Sequence, residues 1–73
     1  MMPRIEGKVH ISNRIQELRS KRNITQQDLA EAVEVTRATI IALEKGSYNP
    51  SLELAFRLAN FFSSGIEDIF FKK

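Results

Sequence analysis

The sequence predicts an all-α domain, a compact five-helix bundle preceded by a short N-terminal arm or strand. Three observations lead there. Apolar residues recur three and four apart in one segment after another, the spacing of a helix face. Ser, Thr or Asn stands ahead of these segments, where helices are capped. Convincing hairpin signals are absent, and the connections are only a few residues long, so the helices must pack on one another.

The first dozen residues, with Pro3, Gly7 and the alternating Val9 and Ile11, read as an arm or a short strand, leaving residues 13–71 as the domain. The first helix runs from Asn13 to Arg22, with Ile15 and Leu18 on one face and Ser12 or Asn13 as its cap. Asn23 suits the left-handed residue that closes a helix. Thr25-Gln26-Gln27-Asp28 reads as a capping box, with Asp in place of the commoner Glu. The second helix it starts turns Leu29, Ala30 and Val33 inward. Thr36 caps a third helix, Arg37 to Lys45, with Ile40 and Leu43 inward and Gly46 as its stop. Gly46 to Pro50 is a loop by composition. Ser51 caps a fourth helix to about Phe62, with Leu54, Ala55, Leu58 and Ala59 on its buried stripe. Ser63-Ser64-Gly65 breaks that helix, and Ile66 to Phe70 forms a short fifth helix or turn.

Composition narrows the function. Seventy-three residues make one small domain, and such domains need an economical core, a staple or a partner. The sequence holds no cysteine, hence no disulfide or thiolate metal site, and this fits a reducing cytoplasm. A single histidine, His10, cannot build a zinc site and reads as an ordinary surface or arm residue. No apolar run approaches the roughly 20 residues that span a bilayer, and Met1 to Lys8 lack the apolar stretch of a signal peptide. An acid–base cluster, a nucleophile–histidine pairing and a phosphate-cradling glycine loop are all missing, so the expectation is a binding protein that needs no cofactor, rather than an enzyme. Net charge is +2, but residues 1–22 carry +4 and residues 23–73 carry −2. A basic N-terminal third reads either as a solvated helix face or as a surface for a phosphate backbone.

The informative stretch is Gln26 to Lys45. Its two helices are joined by a very short turn, which forces a large angle between them. Such a corner needs a small residue where the helices cross (Ala30), a special backbone angle at the turn (Glu34), and apolar filler at fixed offsets (Val35, Ile40, Leu43). With Ile40 and Leu43 inward, 100° per residue turns Ala38, Ile41, Ala42 and Lys45 outward, with Arg37 and Thr39 at the flanks. A solvated face is ordinarily charged or long-chained. This one is small and partly apolar between two cations, which suits a helix lying deep in a DNA major groove. Short side chains permit close approach, methyl groups can meet the thymine methyl, and Arg37 can contact guanine bidentately. Gln26 follows a helix cap, where free backbone N–H groups favour an anion. Lys45 can reach a phosphate. Tyr48 and Asn49 read equally as turn residues or as phosphate holders.

These residues resemble the phage repressor/Cro type of helix-turn-helix domain, the XRE family. The resemblance runs through Thr25–Gly46, continues into Tyr48–Ala55 and Ile66–Phe70, and covers about Asn13 to Phe71. It implies a five-helix fold of the lambda-repressor-like type that binds the two-fold-related operator of double-stranded DNA. It implies base reading at Arg37 and Ala38, with Ile41 and Ala42 on the same face, and a phosphate contact by Gln26; beside these, Thr39 is a further candidate for base reading, and Gln27, Thr36, Lys45, Tyr48 and Asn49 are candidates for positioning. It further implies an ion pair between Arg19 and Glu44 that clamps the recognition helix. Two positions depart from the family's habit: Glu34 stands where Gly is frequent, and Ala38 where Gln or Ser is, so discrimination rests on Arg37, methyl contacts and DNA shape.

Four of the five phenylalanines fall in the last 13 residues. A domain this small is not expected to hide them all, and exposed apolar surface points to a partner. Phe61, Phe62, Ile66, Phe70 and Phe71 are therefore candidates for a homodimer interface. The expectation is a cytoplasmic homodimeric transcriptional repressor. The alternative is an antitoxin that binds both DNA and a partner protein.

Overall fold

A computed structural model of the chain describes residues 9–73. The basic arm residues Arg4 and Lys8 lie outside the described residues. The element order is β1 (Ile11–Asn13), α1 (Ile15–Lys21), α2 (Gln26–Ala32), α3 (Arg37–Lys45), α4 (Leu52–Phe61), α5 (Ile66–Ile69) and β2 (Phe70–Lys72). The five helices expected from periodicity are present. The expected N-terminal strand is β1, and to the mostly helical architecture the structure adds its partner β2 in a small antiparallel sheet, with Ile11 opposite Lys72, Ser12 opposite Phe71 and Asn13 opposite Phe70.

The sheet shifts two predicted boundaries. Asn13, expected inside the first helix, lies in β1, and α1 begins at Ile15. Phe70, expected at the end of the fifth helix, starts β2 with extended backbone, φ −112° and ψ 135°. Both shifts have one cause. The strands are nearly sixty residues apart in sequence, so their pairing leaves no local signature. Two three-residue strands are marginal alone. These are reinforced by the Lys73 N–H donating to the His10 carbonyl (2.8 Å), the Arg14 N–H donating to the Ile69 carbonyl (2.9 Å), and the Arg14 guanidinium stacked 5.1 Å from the Phe71 ring centre.

The caps of α2, α3 and α4 follow the sequence, whereas α1, expected to be capped by Ser12 or Asn13, has Arg14 at its cap position with no side-chain cap bond. The hydroxyls of Thr25, Thr36 and Ser51 accept from the backbone N–H of Asp28, Thr39 and Leu54. The Asp28 carboxylate answers by accepting from the Thr25 N–H at 3.0 Å, completing the capping box. Hydrogen bonding from Thr25 to this carboxylate, from its backbone N–H foremost and then from its side chain, holds the Asp28 carboxyl below the usual carboxylate range.

The first four helices end in one way. Asn23, Glu34, Gly46 and Ser63 each take a positive φ, of 55°, 62°, 77° and 51°. The residue after each then donates to a carbonyl five positions back: Ile24 to Arg19, Val35 to Ala30, Ser47 to Ala42 and Ser64 to Ala59. This is the Schellman closure, in which a left-handed residue turns the chain so that the last orphan carbonyls find partners. In α1 and α2 the residue after the turn, Ile24 or Val35, is apolar and folds onto the core.

That core holds Ile15, Leu29, Ala30, Val33, Ile40, Leu43, Leu54, Leu58, Ala59, Phe62 and Ile69 in one cluster. No polar or charged residue is buried among the described residues. Burying a Leu or Ile side chain contributes about 1.5–3 kcal/mol, so apolar packing is the principal stabiliser of this staple-free domain. Phe62 is part of that packing at 4 % exposure. It continues the α4 stripe of Leu54 and Leu58 by one further step of four, which removes it from the surface set proposed from sequence.

Candidate nucleic-acid interface

The corner between α2 and α3 is the most extensive helix–helix contact in the molecule. Ala30 is fully buried where the two helices meet, Glu34 carries the left-handed turn, and Val35 packs half-buried against the core. Arg57 on α4, which the sequence reading missed, donates from Nη1 to the Val33 carbonyl at 3.1 Å, satisfying a carbonyl at the turn. Its second arm pairs with Glu53 one helical turn earlier. The i,i+4 spacing of Glu53 and Arg57 was visible in sequence; the reach to Val33 was not.

The outward face of α3 lies as helical geometry requires. Arg37, Ala38 and Lys45 are exposed, and Thr39, Ile41 and Ala42 are half-buried at its margins. The Thr39 hydroxyl shares a 3.0 Å hydrogen bond with the Thr36 hydroxyl, so the cap and the flank of the helix are tied together. Arg37 and Lys45 stand eight residues apart, about 12 Å along the helix axis.

Behind this face, α3 is held by its last turn. Arg19 meets Glu44 through Nε at 2.8 Å and Nη2 at 3.3 Å, and its Nη1 donates to the Ile24 carbonyl at 3.0 Å. The Gln26 amide donates to the same Glu44 carboxylate at 3.0 Å. The side chain of Glu44 is 6 % exposed and that of Arg19 15 %, so the charged groups meet in a largely water-excluded setting although neither residue as a whole is buried. The carboxylate thus gathers α1, the start of α2 and the end of α3 at one point. The Gln26–Glu44 link was missed from sequence, since a Gln at a helix start has no fixed partner eighteen residues on.

The residues singled out for phosphate fall in two places. Gln26 and Gln27 line one open cleft together with Arg19, Asn23, Thr25 and Arg37. An amide nitrogen carries two N–H groups. Gln26 spends one on Glu44 and keeps the other, while Gln27 spends one on Glu31 at 3.0 Å. Lys45 and Asn49 line a second, polar cleft with His10, Ser12, Asn13 and Lys73. Tyr48 is exposed in the loop between α3 and α4, and Thr36 is exposed at the start of α3. The Arg37 side is therefore joined to the α2 N-terminus, and the Lys45 side to the sheet. Among the described residues no cluster of His, Cys, Asp or Glu is arranged to hold a metal ion.

A two-helix corner that holds an exposed, short-chained helix between cations defines the class: a helix-turn-helix module. The helix-turn-helix family model matches residues 15–69, and the chain belongs to that family, of the XRE type. It is 53 % identical over 60 residues to an uncharacterized HTH-type transcriptional regulator of Methanocaldococcus jannaschii, covering 82 % of this chain and 91 % of that one. It is 34 % identical over 58 residues to the cryptic phage CTXphi transcriptional repressor RstR of Vibrio cholerae, covering 80 % of this chain and 52 % of the repressor. Among solved structures, the restriction-modification controller protein C.AhdI of Aeromonas hydrophila superposes with a TM-score of 0.70 at 27 % identity, over 75 % of this chain and 83 % of that one. The family is one of DNA-binding transcriptional regulators, and these relatives are named as regulators, not enzymes. No helix among the described residues is long and apolar enough to cross a membrane.

Proposed function

We propose that this chain is a cytoplasmic repressor that acts as a homodimer, occupies a two-fold-related operator in double-stranded DNA, and requires no cofactor to bind it. The observation that carries the reading is the outer face of α3. It presents exposed Arg37 and Lys45 at its two ends and small or methyl-bearing side chains between them, on a helix anchored from behind by Glu44. In the major groove, Arg37 reads guanine, Ala38, Ile41 and Ala42 offer methyl contacts, and Thr39 lies at the flank. Gln26, Gln27, Thr36, Lys45, Tyr48 and Asn49 hold the backbone on either side. The dimer surface comprises Phe61, Ile66, Phe70 and Phe71, the members of the C-terminal apolar set that retain exposure.

The test is in vitro selection from random duplex DNA. The expected result is a palindromic consensus with half-sites about one helical turn apart. Arg37→Ala should then relax one base pair of each half-site by ~1–3 kcal/mol, and Lys45→Ala should weaken all sequences alike and lower the salt slope by about 1. Only weak, sequence-blind binding would overturn the reading.

A second reading, an antitoxin that also neutralises a partner protein, draws on α4. Leu52 and Phe56, four apart, are 70 % and 53 % exposed, and Leu52 lines an apolar groove with Ile11, Pro50, Ala55, Ile66 and Phe70. A pull-down from the native host that returns one stoichiometric foreign protein favours it.

A further inference from the structure

Among the described residues, Asn13 is the side chain of the sheet that hydrogen-bonds to the recognition helix. Its Nδ2 donates to the Leu43 carbonyl in the last turn of α3 at 2.8 Å, across thirty residues of sequence. Its Oδ1 accepts from the Ile15 N–H, the first of α1, at 3.1 Å. Its backbone pairs with Phe70 in β2. One half-buried residue therefore joins the start of α1, the end of α3 and the C-terminal strand.

The bond to Leu43 falls where it constrains orientation most. Arg19 and Gln26 fix α3 through the flexible side chain of Glu44. Asn13 fixes it through a main-chain carbonyl, on a residue whose own side chain is locked in the core. A side chain tie leaves several rotamers open, whereas a tie to the backbone sets the helix itself. The same carbonyl also accepts from the Gly46 N–H, the left-handed residue that ends α3. The exposed Lys45 lies between these two points.

We infer that Asn13 is a positioning residue for DNA reading: through the Leu43 carbonyl, it makes the pose of the recognition helix depend on the β1–β2 sheet. The role rests on the DNA-reading proposal above, but its structural half is testable without DNA. Asn13→Ser is the informative variant. Serine keeps a short, neutral acceptor for the Ile15 N–H, as serine does in turns, and cannot reach Leu43. Asn13→Ala removes both bonds.

The first measurement is amide hydrogen exchange by NMR. In Asn13→Ser the Gly46 and Ser47 amides should exchange several-fold faster, with the core amides of α2 and α4 unchanged. Unchanged exchange at Gly46 and Ser47 overturns the tie, whatever the chain does with DNA. The second measurement compares affinity for the selected operator with affinity for random duplex at one salt concentration. The ratio should fall about fivefold in Asn13→Ser, the ordinary effect of one net hydrogen bond, with random-duplex affinity preserved. An unchanged ratio overturns the positioning role, as does an equal loss on both DNAs, which marks a folding defect. A wild-type chain that selects no consensus fails the DNA reading instead, and the exchange result stands apart from it.

Discussion

Glu34 shows how a single residue can be placed against its own preference. A side chain with Cβ in the left-handed region costs about 1 kcal/mol, and Glu34 accepts this at φ 62° because Val35 must turn back to the Ala30 carbonyl and into the corner. Glu34 is exposed, so its side chain contributes little that glycine would forfeit. Glu34→Gly should therefore raise stability by about 0.5–1 kcal/mol, and Tm by a few degrees in a domain of this size. A lower Tm would show that the strain is already relieved. Asp28 supplies a pH-dependent counterpart. Its carboxyl is held below the usual range by hydrogen bonds from Thr25, so its stabilising effect is present above the unfolded-state value and fades as pH falls through the folded one. Stability should decline on acidification below about pH 4, and Asp28→Asn should flatten that decline in denaturant titrations.

At the scale of elements, the recognition helix is defined by what restrains it. Its inward residues Ile40 and Leu43 supply packing, to which directional polar ties are added. Glu44 and the Leu43 carbonyl provide these by tying the last turn to α1, α2 and β1. Arg19→Ala strips a carboxylate whose side chain is 6 % exposed in the intact pair of its charged partner, so it should cost about 3–5 kcal/mol, read by chemical denaturation. Stability equal to wild type would mean that Gln26 and water suffice for Glu44. The elements also show how far sequence reading extends. The caps at Thr25, Thr36 and Ser51 and the stop at Gly46 were legible because each is a contact within a few residues. Asn13 was assigned to the wrong element, because its partners lie thirty and fifty-seven residues away.

For the whole molecule, the outstanding feature is apolar surface. The core is closed by Phe62, yet Phe56 and Phe71 stay exposed, as does Leu52 at the Ile11–Phe70 groove. A domain of 73 residues that leaves this much apolar area in water is expected to bury some of it on a partner. A second copy, related by two-fold symmetry, would set two recognition helices about 34 Å apart, one turn of DNA. Light scattering should give twice the protomer mass at micromolar concentration, and Phe71→Ser with Ile66→Ser should reduce it to one. A single-protomer mass that does not change on concentrating would leave the dimer without support.

What the sequence by itself determined was the set of helices, their caps and stops, the left-handed turns at Asn23 and Glu34, and the outward face of α3. Each depends on a period of 3.6 residues or on a cap within four, and both are written in neighbouring residues. What only the tertiary structure decided was the β1–β2 sheet, the burial of Phe62, the reach of Arg57 to Val33, the link of Gln26 to Glu44, and the grip of Asn13 on the recognition helix. These depend on which distant segments the core brings together. A hydrogen bond across thirty residues leaves no trace in the spacing of either partner.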